Sequence, residues 1–435
     1  MLRLDRARLR DRRPQEADPG DRPLGPVPVP PRRGRAHANA TNGSLRRVCR
    51  LARRPHVDAR ASGRTGGPGS GDRRDRPERR RLRRAQGPLV LRAAPAPHDD
   101  RGPVLGVPVT RHPLRHGAFV PQGWKLEYSG IGPAEAWATS VEWAQAAERL
   151  GYDHLWVYDH VETVPRRERS HVFEAFTTLA ALSQLTERIE LGQLVTCIGY
   201  RNVGLLAKEA AGIDVMSGGR LILGLGAGWY EREYQAYGYP YPSARHRLGL
   251  LREALEVIPQ LWSEETVTYD GEYVHLAGAY CEPQPLRSPR PPILVGGGGE
   301  QVTLRIAARH ADATNWQVGL DSFVHKSGLL ERYCEEIDRD PASIVRTHGP
   351  DCLIVESEAE LQTWLDGPDG GHLWGGVDHD AYVRDHLVGT VDQVAEKAQG
   401  FIDAGCAEFI LWFRDAPSHR SLTAWMDDVV PRLRS

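Results

Sequence analysis

The stretch 189–229, IELGQLVTCIGYRNVGLLAKEAAGIDVMSGGRLILGLGAGW, constrains the fold more than any other part of the chain. Ile189 to Val195 is a short apolar run rich in strand-forming residues. Asn202 to Met216 carries Leu205, Leu206, Ala210, Ile213 and Val215 at helical spacing. Ser217-Gly218-Gly219 stops that helix, and Arg220 to Gly226 is a second strand, too apolar for either face to meet water. Strand, helix and strand in this order make a parallel βαβ unit. Thr196-Cys197-Ile198-Gly199 and Gly226-Ala227-Gly228-Trp229 then occupy the strands' C-terminal ends, where such folds place their chemistry.

The rest of the chain repeats this unit. Strands are expected at His116–Pro121, His154–Tyr158, Ile189–Val195, Arg220–Gly226, Ile293–Val295, Ala313–Trp316, Val345–Val355 and Glu408–Phe413. Helices are expected at Pro133–Leu150, with Pro at its start and Gly151 as its stop, and at Val172–Leu185, Leu248–Trp262, Gln301–His310, Phe323–Asp338, Ser357–Leu365, Val391–Ala404 and Leu422–Leu433. Thr266–Leu276 alternates around Asp270-Gly271 and predicts a hairpin excursion. Ser357 and Glu360 have capping-box spacing, and residues 367–387 form a polar insertion with no assigned role. Eight βα units point to the α/β class and a (β/α)8 TIM barrel with insertions, spanning 116–435. A doubly wound sheet is the alternative. It would want a GxGxxG after the first strand, and the sequence has none there.

The formal charge of −1 hides a division. Residues 1–115 hold 29 arginines, no lysine and 11 acids, a net of +18, so residues 116–435 carry −19. The first part is dense in Pro, Gly and Asp and has no hydrophobic period, so it cannot bury enough apolar surface to order itself. It is expected to be a disordered extension. Three origins stay open: a start codon read too far upstream in a GC-rich gene, a basic tail that touches nucleic acid or anionic membrane, or a targeting segment. The acidity of the remainder argues against a nucleic-acid partner. No apolar run approaches the roughly 20 residues of a membrane span. The six cysteines show no paired spacing, and the histidines show no HExxH, so neither a disulfide framework nor a metal site is expected. A reduced, cytoplasmic enzyme is the expectation.

Five ordered segments carry a resemblance. They are LWVYDH at 155–160, LGQLVTCIGYRN at 191–202, SGGRLILGLGAGWYEREY at 217–234, PPILVGGGGE at 291–300 and VGTVDQVAEKAQGFIDAGCAEFILWF at 388–413. Together they resemble the luciferase-like monooxygenase superfamily, nearest to the branch that uses the deazaflavin coenzyme F420. The resemblance implies a TIM barrel, an F420-dependent oxidoreductase acting on a small organic substrate, and a homodimer. Reduced FMN with oxygen, in a monooxygenase, is the alternative.

It also implies roles. His160, at the end of the second strand, would act near the reacting carbon, and Asp159 would lie against the ring system. Thr196, Cys197 and Ile198 would form a bulge behind the ring, with a non-prolyl cis bond between Cys197 and Ile198. Gly226 and Gly228 would let the backbone approach the cofactor. Gly296, Gly297, Gly298 and Gly299, before a helix start, would hold phosphate. Some F420 enzymes place a catalytic Glu after the Gly-x-Gly, where this chain has Trp229, leaving Glu231 or Glu233 as possible replacements. Arg201-Asn202 either reaches phosphate or caps the next helix, and Arg220 is read as structural. Trp124, Trp229, Trp316 and Trp412 suggest an apolar pocket.

Overall fold

Strands buried on both faces need helices around them, and the computed structural model, which describes residues 113–434 apart from 165 and 368–377, provides them. The barrel begins with β1 (Arg115–Phe119), one residue earlier than the sequence suggested. Then come α1 (Pro133–Leu150), β2 (His154–Val157), α2 (Ala175–Ser183), β3 (Glu190–Gln193), the short β4 (Thr196–Cys197) and α3 (Val203–Ser217). After β5 (Leu221–Gly226) follow α4 (Glu231–Ala236), α5 (Ala244–Leu261) and the hairpin β6 (Val267–Asp270) and β7 (His275–Ala279). The chain continues through β8 (Ile293–Gly296), α6 (Thr303–His310), β9 (Ala313–Trp316), α7 (Leu320–Glu335) and β10 (Val345–His348). It finishes with β11 (Asp351–Val355), α8 (Glu358–Asp366), α9 (His379–Asp385), β12 (Leu387–Thr390), α10 (Val391–Asp403), β13 (Glu408–Phe413) and α11 (Arg420–Ala424).

Strands β1, β2, β3, β5, β8, β9, β10 and β13 pair in that order, all parallel, and β13 closes on β1 through Arg115↔Glu408 to Ala118↔Leu411. This is the expected TIM barrel. Strand alternation separates two core layers. Leu221, Leu223 and Leu225 of β5 pack outward against the helices, while Ile222 packs inside with Phe119, Trp156, Leu294 and Ile410. Glycines fill the remaining inward positions of β5 because space has run out. A Cβ at Gly224 would lie 1.8 Å from the Gln193 carbonyl oxygen, and one at Gly226 would lie 2.4 Å from Val195 Cγ2.

Local signals place the helices. Gly151 (φ 91°) and Gly218 (φ 75°) end α1 and α3 in the left-handed region, and the Asn202 side chain accepts the Leu205 N–H at the start of α3. Arg220 is structural, as expected. It donates to Thr186 Oγ1 and to the carbonyls of Ser183, Thr186, Ile189 and Ser217 below the barrel.

Three expectations need correction. Val345–Val355 is two strands, not one. The chain leaves the barrel at Gly349-Pro350, and β11 pairs with the upper end of β13 and with β12. The final helix is not continuous over Leu422–Leu433; α11 gives way to a π turn at Trp425–Val429 and a 3-10 turn at Val430–Arg432, which brings in Pro431. The capping box at Ser357 is half formed. Its oxygen accepts the Glu360 N–H, but the Glu360 carboxylate takes the N–H of Glu356. A full box stands at Thr390 and Gln393 instead. The expected extension lies outside the described residues except for its last three, and part of the 367–387 insertion does too. No helix among the described residues is long and apolar enough to cross a membrane.

Candidate active site

The strand ends surround a cavity of about 630 Å³ at the C-terminal face of the barrel. Its size falls within the usual range for small-molecule sites, about 300–1,000 Å³. Among the expected residues, Asp159, His160, Cys197, Gly226, Gly228, Gly296, Gly297 and Gly298 line it, with Trp124, Trp229, Trp316 and Trp412. Thr196 and Ile198 are fully buried and stand behind that wall, and Gly299 is also outside the lining.

His160 follows β2. Its Nδ1 lies 2.7 Å from Glu233 Oε2, and its ring stacks on Trp124 with centroids 4.3 Å apart and an interplanar angle of 2°. Glu233, on α4, is 1% exposed and also accepts the N–H groups of Val161 and Glu162 and the Tyr200 hydroxyl. Burial pushes the Glu233 carboxyl up, but the bonds from His160 and from the two backbone N–H groups outweigh it and hold it below the usual carboxylate range. Ionised Glu233 therefore fixes Nδ1 as a donor and leaves Nε2 to exchange protons. Glu233 is thus the carboxylate at this end, while Glu231 is exposed. In sequence it was indistinguishable from a surface charge.

Asp159 lines the cavity and is held there by partners of its own. Its carboxylate takes two bonds from Arg201, at 2.6 and 2.8 Å, and one from the Cys197 N–H, at 2.8 Å. Burial raises the Asp159 carboxyl, whereas Asp159 and Glu174 keep the Arg201 guanidinium charged. Of the Arg201-Asn202 pair, Asn202 caps α3 as expected, and Arg201 does not stand free for phosphate. It ties the loop after β2 to the end of β3–β4.

The non-prolyl cis bond is Leu194–Val195, not Cys197–Ile198. β3 ends at Gln193 and β4 begins at Thr196, so the break in the strand falls at Leu194-Val195; both line the cavity, and the Val195 methyl groups lie where a Cβ on Gly226 or Gly296 would stand. These two glycines make room for Val195. Gly228 (φ 77°) has a second constraint, since a Cβ there would lie 2.2 Å from the Tyr234 hydroxyl and 2.6 Å from Cys197 Sγ. That thiol contacts the Tyr234 hydroxyl at 2.9 Å, and burial pushes it up to about 12, so it is no nucleophile.

The glycine loop after β8 has an open face. Gly297 (φ 125°) and Gly298 would place a Cβ no closer than 3.4 and 3.6 Å to any atom. α6 begins only at Thr303 and has no side-chain cap, although its Leu304 N–H is already taken by the Gly299 carbonyl at 3.1 Å. Lys326, on α7, donates to the Gly298 carbonyl at 2.8 Å and pairs with Glu300. No sequence spacing linked it to the loop.

The cavity's other end combines β11 with the described part of the 367–387 insertion. Asp351, Tyr382 and His386 line it beside Lys125 and Trp412. Asp351 accepts the Tyr382 hydroxyl at 2.8 Å, and its own N–H reaches His386 Nδ1 at 3.1 Å. Lys125 Nζ lies 4.0 Å from the Trp124 ring centroid and 4.5 Å from that of Trp412. Burial pushes this ammonium down to about 7, against the pull of Asp351. Among the described residues no cluster of His, Cys, Asp and Glu could hold a metal ion.

Comparison with known proteins adds relatives to this geometry. The luciferase-like monooxygenase family matches residues 116–376. The chain is 30% identical over 347 residues to an F420-dependent glucose-6-phosphate dehydrogenase of Kineococcus radiotolerans, covering 73% of this chain and 98% of that one. It is 26% identical over 341 residues to the protein of the same name from Amycolatopsis mediterranei, covering 72% and 98%. Among solved structures, an F420-dependent secondary alcohol dehydrogenase in complex with an F420-acetone adduct superposes with a TM-score of 0.63 at 20% identity, over 74% of this chain and all of that one. Motifs, barrel and relatives agree, and the chain belongs to the luciferase-like monooxygenase family.

Proposed function

We propose that this protein is a coenzyme F420-dependent oxidoreductase that transfers a hydride between the deazaflavin and a small organic substrate. The observation that carries it is the His160–Glu233 pair, 2.7 Å apart on the wall of a cavity at the strand ends. The residues present fit the coenzyme. Val195, Gly226 and Gly228 form a smooth wall for a flat ring, and the open glycine face with the uncapped start of α6 suits a phosphate. When bound, the coenzyme supplies the hydride chemistry.

The chain's own residues do the rest. For an alcohol substrate, the hydride leaves carbon and the hydroxyl proton goes to His160 Nε2; for a carbonyl, Nε2 gives that proton back. Glu233 stabilises the imidazolium that forms. The aromatic walls exclude water from the reacting carbon. Oxidised F420 and FMN, titrated in parallel into the full-length protein and followed by tryptophan fluorescence, test the reading. Tighter binding of F420 is expected. Preference for FMN would replace it with a monooxygenase.

A further inference from the structure

The two ends of the cavity differ in charge. Asp159, Glu233 and Asp351 line it as carboxylates, and among the described residues Lys125 is the one lysine or arginine in the lining. Nearby cations are committed elsewhere. Arg201 is bound to Asp159 and Glu174, and Lys326 to Gly298 and Glu300. A phosphate monoester carries close to two negative charges and needs several fixed cations or N–H groups. Away from the glycine loop, this cavity offers one ammonium facing a carboxylate, amid Trp124, Trp229, Trp316, Trp412, Tyr158 and Tyr230. A dianion placed there would find Lys125 as its one lining cation, because the Arg414 guanidinium behind it already pairs with Asp351 at 3.9 Å.

We propose that the substrate end takes an uncharged alcohol or carbonyl compound with an apolar, flat body rather than a sugar phosphate, and that Lys125 and Asp351 bind a second polar group remote from the reacting carbon. This rests on the oxidoreductase reading above. Trp124 sets the scale. It stacks on His160 and also carries Lys125 Nζ 4.0 Å from its centroid, so one indole separates the proton carrier from the polar anchor. The aromatic lining of Trp124, Tyr158, Trp229, Tyr230 and Trp412 then suits a single flat ring with oxygen functions at both ends. In the oxidation, its C–H bond breaks with the electron pair passing to the coenzyme, and its O–H proton passes to His160. Lys125 and Asp351 are positioning residues and exchange nothing. Burial of the Lys125 ammonium supports this, since an ammonium readily neutralised near pH 7 suits a neutral partner better than a phosphate.

The test uses full-length protein saturated with F420. Binding of 1-(4-hydroxyphenyl)ethanol, glucose 6-phosphate and inorganic phosphate is measured by calorimetry, and turnover by loss of oxidised coenzyme absorbance. The aromatic alcohol is expected to bind at least about tenfold more tightly than glucose 6-phosphate, with no competition from phosphate. Lys125→Met should raise its KM about tenfold with kcat within threefold, and Asp351→Asn should do the same; 1-phenylethanol, lacking the second oxygen, should be insensitive to both. Tighter binding or faster turnover of glucose 6-phosphate would overturn the inference, and so would binding of neither organic ligand. Coenzyme saturation is scored first, so failure there counts against the oxidoreductase reading itself.

Discussion

The two ends of the cavity are built by different means. At one end His160, Asp159 and the Gly226–Gly228 turn sit directly after barrel strands, so rigid parallel pairing fixes their positions. At the other, Asp351 of β11 and Tyr382 and His386 of the 367–387 insertion belong to the excursion that leaves the barrel after β10 and runs through β11 and β12. The first end holds one ionised carboxylate under a histidine, suited to moving a proton. The second holds a lysine, an aspartate and a tyrosine among tryptophans, suited to recognition. A barrel can keep its chemistry on the strands while an inserted segment resets what is recognised.

His160→Asn should produce the largest separation of the two ends. Turnover is expected to fall about 10²–10⁴-fold while the dissociation constant for F420 stays within about threefold, checked by stopped-flow absorbance and fluorescence titration. Unchanged turnover would move the proton carrier elsewhere. Gly228→Ala comes next. Its positive φ and the crowding by Tyr234 and Cys197 should cost about 2–4 kcal/mol in chemical denaturation and weaken coenzyme binding.

The barrel wall below the insertion end has its own pH signature. His348, at the end of β10, is buried against Phe401 with Nδ1 3.0 Å from the Trp316 carbonyl, and burial pushes it down to about 3. A histidine lowered on folding leaves stability intact above its unfolded value near 6.5 and withdraws it as pH falls toward 3. The expected loss is about 1.4 kcal/mol per pH unit for this group, read by denaturant titration, and His348→Asn should flatten it. A smaller effect concerns Lys125, which faces Asp351, Arg414 and Glu127. It loses its proton near pH 7, so KM for a hydroxyl-bearing substrate should rise several-fold between pH 6 and 8, and the Lys125→Met enzyme should show no such rise. Cys197→Ala should matter least, with turnover within about threefold, because the thiol packs against Tyr234 and is not ionised.

What the sequence made legible follows the same division. Asp159-His160 could be placed because an apolar run ends there, and Arg220 because it precedes one. Glu233 could only be named beside Glu231, since the choice depends on α4 folding back beneath the loop after β2, 73 positions away from His160. The cis bond was assigned three residues late, because the apolar Leu194-Val195 reads as ordinary strand. The insertion end stayed invisible for a similar reason. Strand-like residues lie on both sides, at Ile344–His348 and Cys352–Val355, and only Gly349-Pro350 marks the departure from the barrel. Long-range pairings such as Lys326 with Gly298 leave no local period to read.

The most direct test of the division sets Glu233→Gln beside Lys125→Met in one steady-state experiment with saturating F420. The account predicts that the first lowers kcat about 10²-fold or more with little change in KM, and that the second raises KM with kcat nearly unchanged. If both variants moved the same constant, the two ends would not be separate devices, and the assignment of proton transfer to one and recognition to the other would be contradicted.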